Sequence, residues 1–419
     1  MERAVLVTVD FGKRDVWSAE ERSAELAELA ASALAKVVRR EIVHRHEPSP
    51  ASFIGSGKAE ELAGICLSED IDVVIFNNDL TASQQKNLEE VIGVKTIDRT
   101  QLILDIFARR AHSNEGKLQV ELAQLKYMLP RLMGKGIEMS RLGGGIGTSG
   151  PGEQKLEVDR RKIKARVSKL TKDLEGLGKR RDMMRTKRSR HSLLTVAIVG
   201  YTNVGKSTLL NALTGSDVVV RDKLFATLDP TVRKFIMPNN QKVLFIDTVG
   251  FIKELPHHLI EAFKATLEEV TEADLILHIV DSSHPKALEQ AEAVYDVLKE
   301  IKAIDKPMIT VLNKIDKVAD NAVIERLKKH FDAPVLISAL KKEGFDGFIS
   351  KILQHMKGLT ALINIKISAG DAKTLNLIHE NGFIRKQEYV GDELLIEAEV
   401  PLRLKELLGK EFPENPLDI

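Results

Sequence analysis

The stretch TVAIVGYTNVGKSTLLNAL (195–213) decides the fold: an apolar strand, a glycine-rich turn and a helix follow one another without interruption. It matches Gly-x-x-x-x-Gly-Lys-Ser at Gly200, Gly205, Lys206 and Ser207, in the strand–turn–helix context that this motif requires. The glycines let backbone N–H groups of Tyr201, Thr202, Asn203 and Val204 converge on phosphate at a helix N-terminus. Lys206 is placed to reach the β- and γ-phosphates, and the Ser207 hydroxyl, next to Thr208, to bind Mg²⁺.

Downstream segments complete a nucleotide site. KVLFIDTVGF (242–251) is an apolar strand ending in Asp247, then Thr248, Val249 and Gly250. Such an Asp holds the metal, usually through water, and the Gly250 N–H can sense the γ-phosphate. PMITVLNKID (307–316) is a further buried strand that ends in Asn313, Lys314, Ile315 and Asp316. A carboxylate at Asp316 can accept the N1–H and N2–H₂ donors of guanine, a pair that adenine lacks; GTP and GDP are therefore the expected ligands. Asn313 can serve the guanine edge and brace the glycine turn. APVLISAL (333–340) brings Ser338, Ala339 and Leu340 to close over the base.

This order of motifs resembles the translation-factor-like branch of P-loop GTPase domains. The resemblance makes DKLFATLDPTVRK (222–234) the first switch, with Phe225, Ala226, Leu228 and Asp229 beside the nucleotide. It implies Thr227 as second Mg²⁺ ligand, with Thr231 as the alternative. Lys206, Thr227, Asp247 and Gly250 are then the catalytic set. Many such GTPases carry a Gln after Asp-x-x-Gly to orient water; here that position is Phe251, which has no hydrogen-bonding atom. Slow turnover alone and a partner that completes the site are expected. Asn203 resembles the P-loop Asn of relatives that bind K⁺ as an activating cation, or else only supports the loop. His257 and His258 in the second switch could be catalytic or simply cap a helix.

The rest of the chain divides into regions. Residues 1–112 alternate strand-like runs (4–9, 73–76, 94–97) with helical patterns (20–36, 58–68, 83–92), an N-terminal α/β domain. Residues 113–191 carry two apolar seams: Leu118, Leu122, Leu125, Leu129 and Leu132, then Leu156, Ile163, Val167, Leu170, Leu174 and Leu177. They predict a projecting antiparallel helical hairpin with a glycine-rich tip, its second helix weakening at Gly176 and Gly178. Residues 192–358 form the GTPase domain, a mostly parallel sheet with flanking helices. Residues 359–419 read as a small C-terminal α/β domain with strands at 361–367 and 389–400 and helices near 371–380 and 402–409.

The tip, GGGIGTSGPGE (143–153), contains Gly-x-Gly-x-x-Gly, but no apolar strand feeds it, so a dinucleotide turn is not expected. Between Glu153 and Arg190 there are 15 Lys or Arg against six Asp or Glu, in a chain of net charge +1. Such a block suits a polyanion, or is a solvated helix face.

RTQLILDIFARRAHSNEGKLQVELAQLKYMLPRL (99–132), SRLGGGIGTSGPGE (140–153), the basic helix and LPHHLIEAFKATLEE (255–269) together resemble the HflX family of bacterial ribosome-associated GTPases. The likeness spans nearly the whole chain, with departures at Ser149 and Gln154, where the family more often has Arg and Thr. It implies binding to the large ribosomal subunit and its RNA. It also implies that the GTP form dissociates stalled or idle ribosomes into subunits under stress such as heat, and that ribosomes stimulate hydrolysis. RNA-contact candidates are Gly143, Gly144, Gly145, Gly147, Arg160, Arg161, Lys162, Lys164 and Arg166. The alternatives are a ribosome-binding checkpoint or assembly GTPase without splitting activity, and an RNA-remodelling NTPase. A DNA partner, stable membrane insertion and oligomerisation are not expected. A lone Cys66 and the lack of a long apolar segment point to the cytoplasm.

Overall fold

The computed structural model describes residues 1–412 except 13–15, 132–150, 191–192, 216–223, 226, 240, 254–255, 257–258 and 260–263. The predicted tip at 143–150, Leu132, Ala226, His257 and His258 lie outside the described residues. The chain forms two units. The first comprises Met1–Gly176 with Asp222–Leu228 and Pro256–Phe263, and the second comprises Leu177–Arg221, Asp229–Leu255 and Lys264–Ile419.

In the first unit, strands β1 (Arg3–Asp10), β2 (Lys36–His44), β3 (Val73–Phe76) and β4 (Lys95–Asp98) pair in parallel in the order β2-β1-β3-β4. Helices α1 (Ala19–Ser32), α2 (Ser56–Ser68), α3 (Ala82–Ile92) and α4 (Arg99–Arg110) alternate with them. The middle of β1 is buried throughout, as a parallel strand covered on both faces must be. Capping boxes start α1 (Ser18 with Glu21) and α3 (Thr81 with Gln84), so local chemistry agrees with the fold at both helix starts. The expected helix 20–36 is too long. It stops at Ser32, Leu34 turns into the left-handed region at φ 66°, and Lys36 already begins β2. The alternating, β-branched run KVVRREIVH explains why a strand wins there.

Helix α5 (Asn114–Arg131) is anchored on Asp98, whose side chain is fully buried at the end of β4. Asp98 accepts from Tyr127 Oη at 2.8 Å, Arg131 Nη2 at 3.0 Å, Leu80 N at 3.2 Å and Gln101 N at 2.9 Å. The buried face of α5 is Gly116, Val120, Ala123 and Tyr127 with Gln119 and Leu122, so it is rotated from the predicted leucine seam. Helix α6 (Pro151–Arg190) runs unbroken through Gly176 and Gly178. Two glycines cost about 1 kcal/mol each relative to alanine, too little to stop a helix surrounded by Leu, Lys, Arg and Glu. Arg166 joins the pair of helices by a two-pronged ion pair to Glu121, at 2.6 and 2.7 Å. In the same unit, the fully buried rings of Phe107 and Phe225 meet edge to face at 4.7 Å.

In the second unit the described strands form a sheet in the order β10-β9-β8-β5-β7-β6. They are β5 (Leu194–Gly200), β6 (Thr231–Ile236), β7 (Lys242–Asp247), β8 (Leu275–Asp281), β9 (Met308–Asn313) and β10 (Val335–Leu336). All neighbours are parallel except the edge pair β6–β7. Helices α7 (Lys206–Thr214), α8 (Lys264–Glu272), α9 (Ala287–Glu300), α10 (Asn321–His330) and α11 (Phe345–Met356) accompany it. After β5 the chain builds β6 and β7 on one side, then β8, β9 and β10 on the other. The carboxyl end of β5 is therefore the topological switch point, where an open α/β sheet leaves a crevice for a ligand.

The same unit ends in an antiparallel sheet, β11 (Thr360–Ser368), β13 (Glu393–Pro401) and β12 (Phe383–Val390), with α12 (Ala372–Asn381) and α13 (Leu402–Glu411). The single strand expected at 389–400 is instead a hairpin. Gly391 takes φ 62°, which folds β12 back on β13. Among the described residues no helix is long and apolar enough to cross a membrane.

Candidate functional site: the glycine turn and its braces

Strand β5 delivers Gly200 to the turn and α7 begins at Lys206. Gly205 precedes α7 with φ 97°, and a Cβ there would collide with Asn313 Nδ2. Both facts require glycine at this position. Asn313 is buried and bridges two loops: Nδ2 donates to Val204 O at 2.8 Å, and Oδ1 accepts from Ala339 N at 2.9 Å. Lys314, itself at φ 62°, donates from Nζ to Asn203 O at 2.7 Å and pairs with Asp281 at 2.7 Å. Half-buried Asp316 follows in a short 3-10 turn, Ile315–Lys317. Buried Ser338 exchanges backbone hydrogen bonds with Glu343, and its hydroxyl accepts from Lys341 N. Leu340 is exposed, unlike buried Ala339. Thus three segments far apart in sequence close on one another.

Lys206 is buried, and its Nζ donates to Tyr201 O at 2.7 Å and Gly200 O at 3.2 Å. Burial pushes its pKa down to about 8; Lys314 adds to that and Asp247 opposes it. An ammonium destabilised in this way gains most when phosphate oxygens arrive. Ser207 Oγ donates to Asp247 Oδ2 at 2.6 Å. Hydroxyl and carboxylate oxygens are the donor set that suits a hard divalent cation such as Mg²⁺. Thr248 is buried with its hydroxyl on Ile198 O, and Val249 is buried beside it. Gly250 is tightly enclosed: a Cβ would stand 2.9 Å from Lys206 Nζ and 2.9 Å from Thr202 Cγ2. Phe251 is buried, its backbone paired with Gly200 O and Thr202 N, so its ring belongs to the core.

The segment expected to be the first switch is divided. Buried Phe225 and Leu228 and half-buried Thr227 cluster with the first unit, whereas Asp229 belongs to the second. Thr231 opens β6 directly opposite Asp247 in the β6–β7 ladder. Sequence reasoning missed two features. One is Asp281, the acid at the end of β8 that holds Lys314; an apolar strand ending in Asp-Ser-Ser was its only signal. The other is the side chain of Tyr201, expected only for its backbone, whose hydroxyl accepts from Lys253 N at 2.8 Å.

On α6, Arg161, Lys162 and Lys164 are exposed and Arg160 is half-buried. Arg166 pairs with Glu121 at 2.6 Å, its side chain still 44% exposed.

Three family models match in succession: GTP-binding GTPase N-terminal over residues 20–108, GTP-binding GTPase Middle Region over 110–188, and 50S ribosome-binding GTPase over 195–314. Among curated proteins, the GTPase HflX of Caldanaerobacter subterraneus is 47% identical, covering 97% of this chain and 93% of that protein. The GTPase HflX of Escherichia coli is 39% identical, covering 92% and 90%. Among solved structures, a GTP-binding protein from Sulfolobus solfataricus in complex with GDP is 27% identical, covers 86% of this chain and all of that one, and superposes with a TM-score of 0.46. With that identity to the curated relatives over nearly its whole length, the chain belongs to the HflX family and is a GTPase.

Proposed function

We propose that this GTPase binds the large ribosomal subunit through ribosomal RNA, and that its GTP form dissociates stalled or idle ribosomes into subunits during stress. The observation that carries the reading is α6, 40 residues long, with Arg161, Lys162 and Lys164 in solvent. Such a basic surface meets a phosphate backbone well. The description of the third family model, a 50S ribosome-binding GTPase, supports the same partner.

In the proposed site the backbone of residues 201–205 and the Lys206 ammonium receive the phosphates. The Ser207 hydroxyl and the Asp247 carboxylate would hold Mg²⁺, with Thr227 as the expected further ligand, and the ion would supply charge neutralisation on the phosphates. Gly250 reports the γ-phosphate through its N–H. Asp316 reads guanine, with Asn313, Lys314 and the Ser338–Ala339 backbone shaping the pocket. With Phe251 buried, transition-state charge is completed by the ribosome or by K⁺ at Asn203.

Three measurements test this. GTPase rates with and without purified large subunits should differ strongly, and rates in KCl should exceed those in NaCl. Sucrose-gradient sedimentation of ribosomes with a non-hydrolysable GTP analogue should show separated subunits. Intact ribosomes carrying bound protein would instead establish occupancy without splitting.

A further inference from the structure

Thr202 is the second residue after Gly200 in the glycine turn and is 4% exposed. Its hydroxyl oxygen is buried and has no hydrogen-bond partner among the described residues. A buried hydroxyl left in that condition is destabilising, a cost that a bound ligand can recover. The backbone is held firmly: Thr202 N donates to Phe251 O at 2.8 Å. The side chain stands where the key groups converge, since Thr202 Cγ2 and Lys206 Nζ are each 2.9 Å from the point a Gly250 Cβ would occupy. Lys206 and Gly250 are the two groups assigned to the γ-phosphate, and the Phe251 side chain contributes no polar atom to that assembly.

We infer that Thr202 is a further catalytic residue: its hydroxyl donates to a γ-phosphate oxygen and accepts a hydrogen bond from the attacking water. One O–H and two lone pairs allow both at once. In the step served, water oxygen bonds to the γ-phosphorus and the bond to the β–γ bridging oxygen breaks. GDP leaves with that electron pair, and the water proton passes to the phosphate product. The hydroxyl itself keeps its proton and fixes direction and charge. This inference rests on reading residues 200–207 as the GTP site.

The test compares Thr202→Val, which keeps shape and removes the hydroxyl, with Thr202→Ser, which keeps the hydroxyl. Single-turnover hydrolysis at saturating GTP should fall roughly 100- to 1,000-fold in Thr202→Val, the range for loss of one transition-state donor. Affinity for fluorescent GDP should stay within about threefold, and Thr202→Ser should recover most of the rate. Three results overturn the inference: wild-type hydrolysis in Thr202→Val, an equal loss of GDP affinity, or a Thr202→Ser rate as low as that of valine. Lys206→Ala serves as the separate control. Wild-type hydrolysis there would remove the site reading itself, whereas an inactive Lys206→Ala beside a fully active Thr202→Val removes only the role of Thr202.

Discussion

Asn313 Nδ2 donates to the Val204 carbonyl at 2.8 Å, tying the end of β9 to the glycine turn across 109 residues of sequence. The other end of the same amide accepts from Ala339 N, and the side chain is 2% exposed. Truncation to alanine leaves a buried carbonyl and a buried N–H without partners, each worth about 1–3 kcal/mol. Asn313→Ala should therefore weaken GDP binding by roughly 10- to 100-fold while the sheet remains folded. Fluorescent-GDP titration beside a circular dichroism melt checks this, and unchanged affinity would show that the turn holds its shape without the amide.

In the proposed site, base selectivity is assigned to Asp316. Its carboxylate is assigned to the N1–H and N2–H₂ of guanine, both donors. Asp316→Asn presents an amide that matches the N1–H and C2 carbonyl of xanthine better. The variant should lose GTP hydrolysis and gain XTP hydrolysis, read as the ratio of kcat/KM for the two nucleotides. Retention of wild-type GTP preference would move guanine recognition elsewhere in the pocket.

Lys206 should give nucleotide binding a pH signature. Burial pushes its pKa down to about 8, and phosphate oxygens in the proposed site should push it up again. Below pH 8 the ammonium exists before and after binding, so affinity is flat. Above pH 8 binding must take up a proton, so affinity falls as pH rises. Calorimetric titration with GDP from pH 7 to 9 should show this decline in wild type. Lys206→Gln, which lacks the amine, should not show it, and that variant also cancels the titration of guanine itself.

Acid stability should depend on His278. It sits fully buried on β8, its ring tilted against Tyr295 at 4.9 Å and edge-on to Phe331 at 6.2 Å. Neither ring nitrogen has a hydrogen-bond partner among the described residues, and burial lowers the pKa to about 3. The unfolded chain titrates near its ordinary value of ~6.5, so between those limits it binds a proton that the folded state refuses. Stability is full above that value and falls by about 1.4 kcal/mol per pH unit as pH drops below it. His278→Leu should lose less Tm than wild type between pH 7.5 and 5 in calorimetry. Parallel losses would place the acid-sensitive group elsewhere.

The residues that the fold brings together at the candidate site were legible because their motifs are short, ordered and bound to strand ends. Gly205, Lys206, Asp247, Asn313 and Ala339 each needed only local sequence to be found. Asp281 was hidden because its role lies in an ion pair with Lys314, and no spacing rule couples one strand's last residue to the next. The helix–strand error after Ser32 arose where Leu34 takes a left-handed φ, a conformation without glycine to announce it. The rotated face of α5 has a tertiary cause: the buried Asp98 captures Tyr127 and Arg131, and this overrides the leucine periodicity. Gly391 shows the reverse case, since a Gly-Asp turn signal stands between two strands whose apolar pattern reads as one.

The basic helix separates loosely held cations from a firmly engaged one. Lys164 is exposed, and Lys162, also exposed, meets Asp159 only at 3.7 Å, whereas the Arg166 guanidinium is shared with Glu121 over two hydrogen bonds. An exposed pair of that kind contributes about 0–1 kcal/mol to stability, so removing it should leave the fold intact. For RNA the consequences differ. Each lysine that neutralises a phosphate adds about 0.9 to the slope of log affinity against log salt on duplex DNA, and a term of similar size on RNA. Lys162→Ala with Lys164→Ala should lower the slope for large-subunit binding by roughly 1 to 2. Arg166→Ala should change it less, because its charge is already compensated by Glu121. Pelleting assays across a KCl series read both slopes. A larger effect from Arg166 than from the two lysines would mean that the Glu121 pair opens on binding and that the guanidinium is the principal contact.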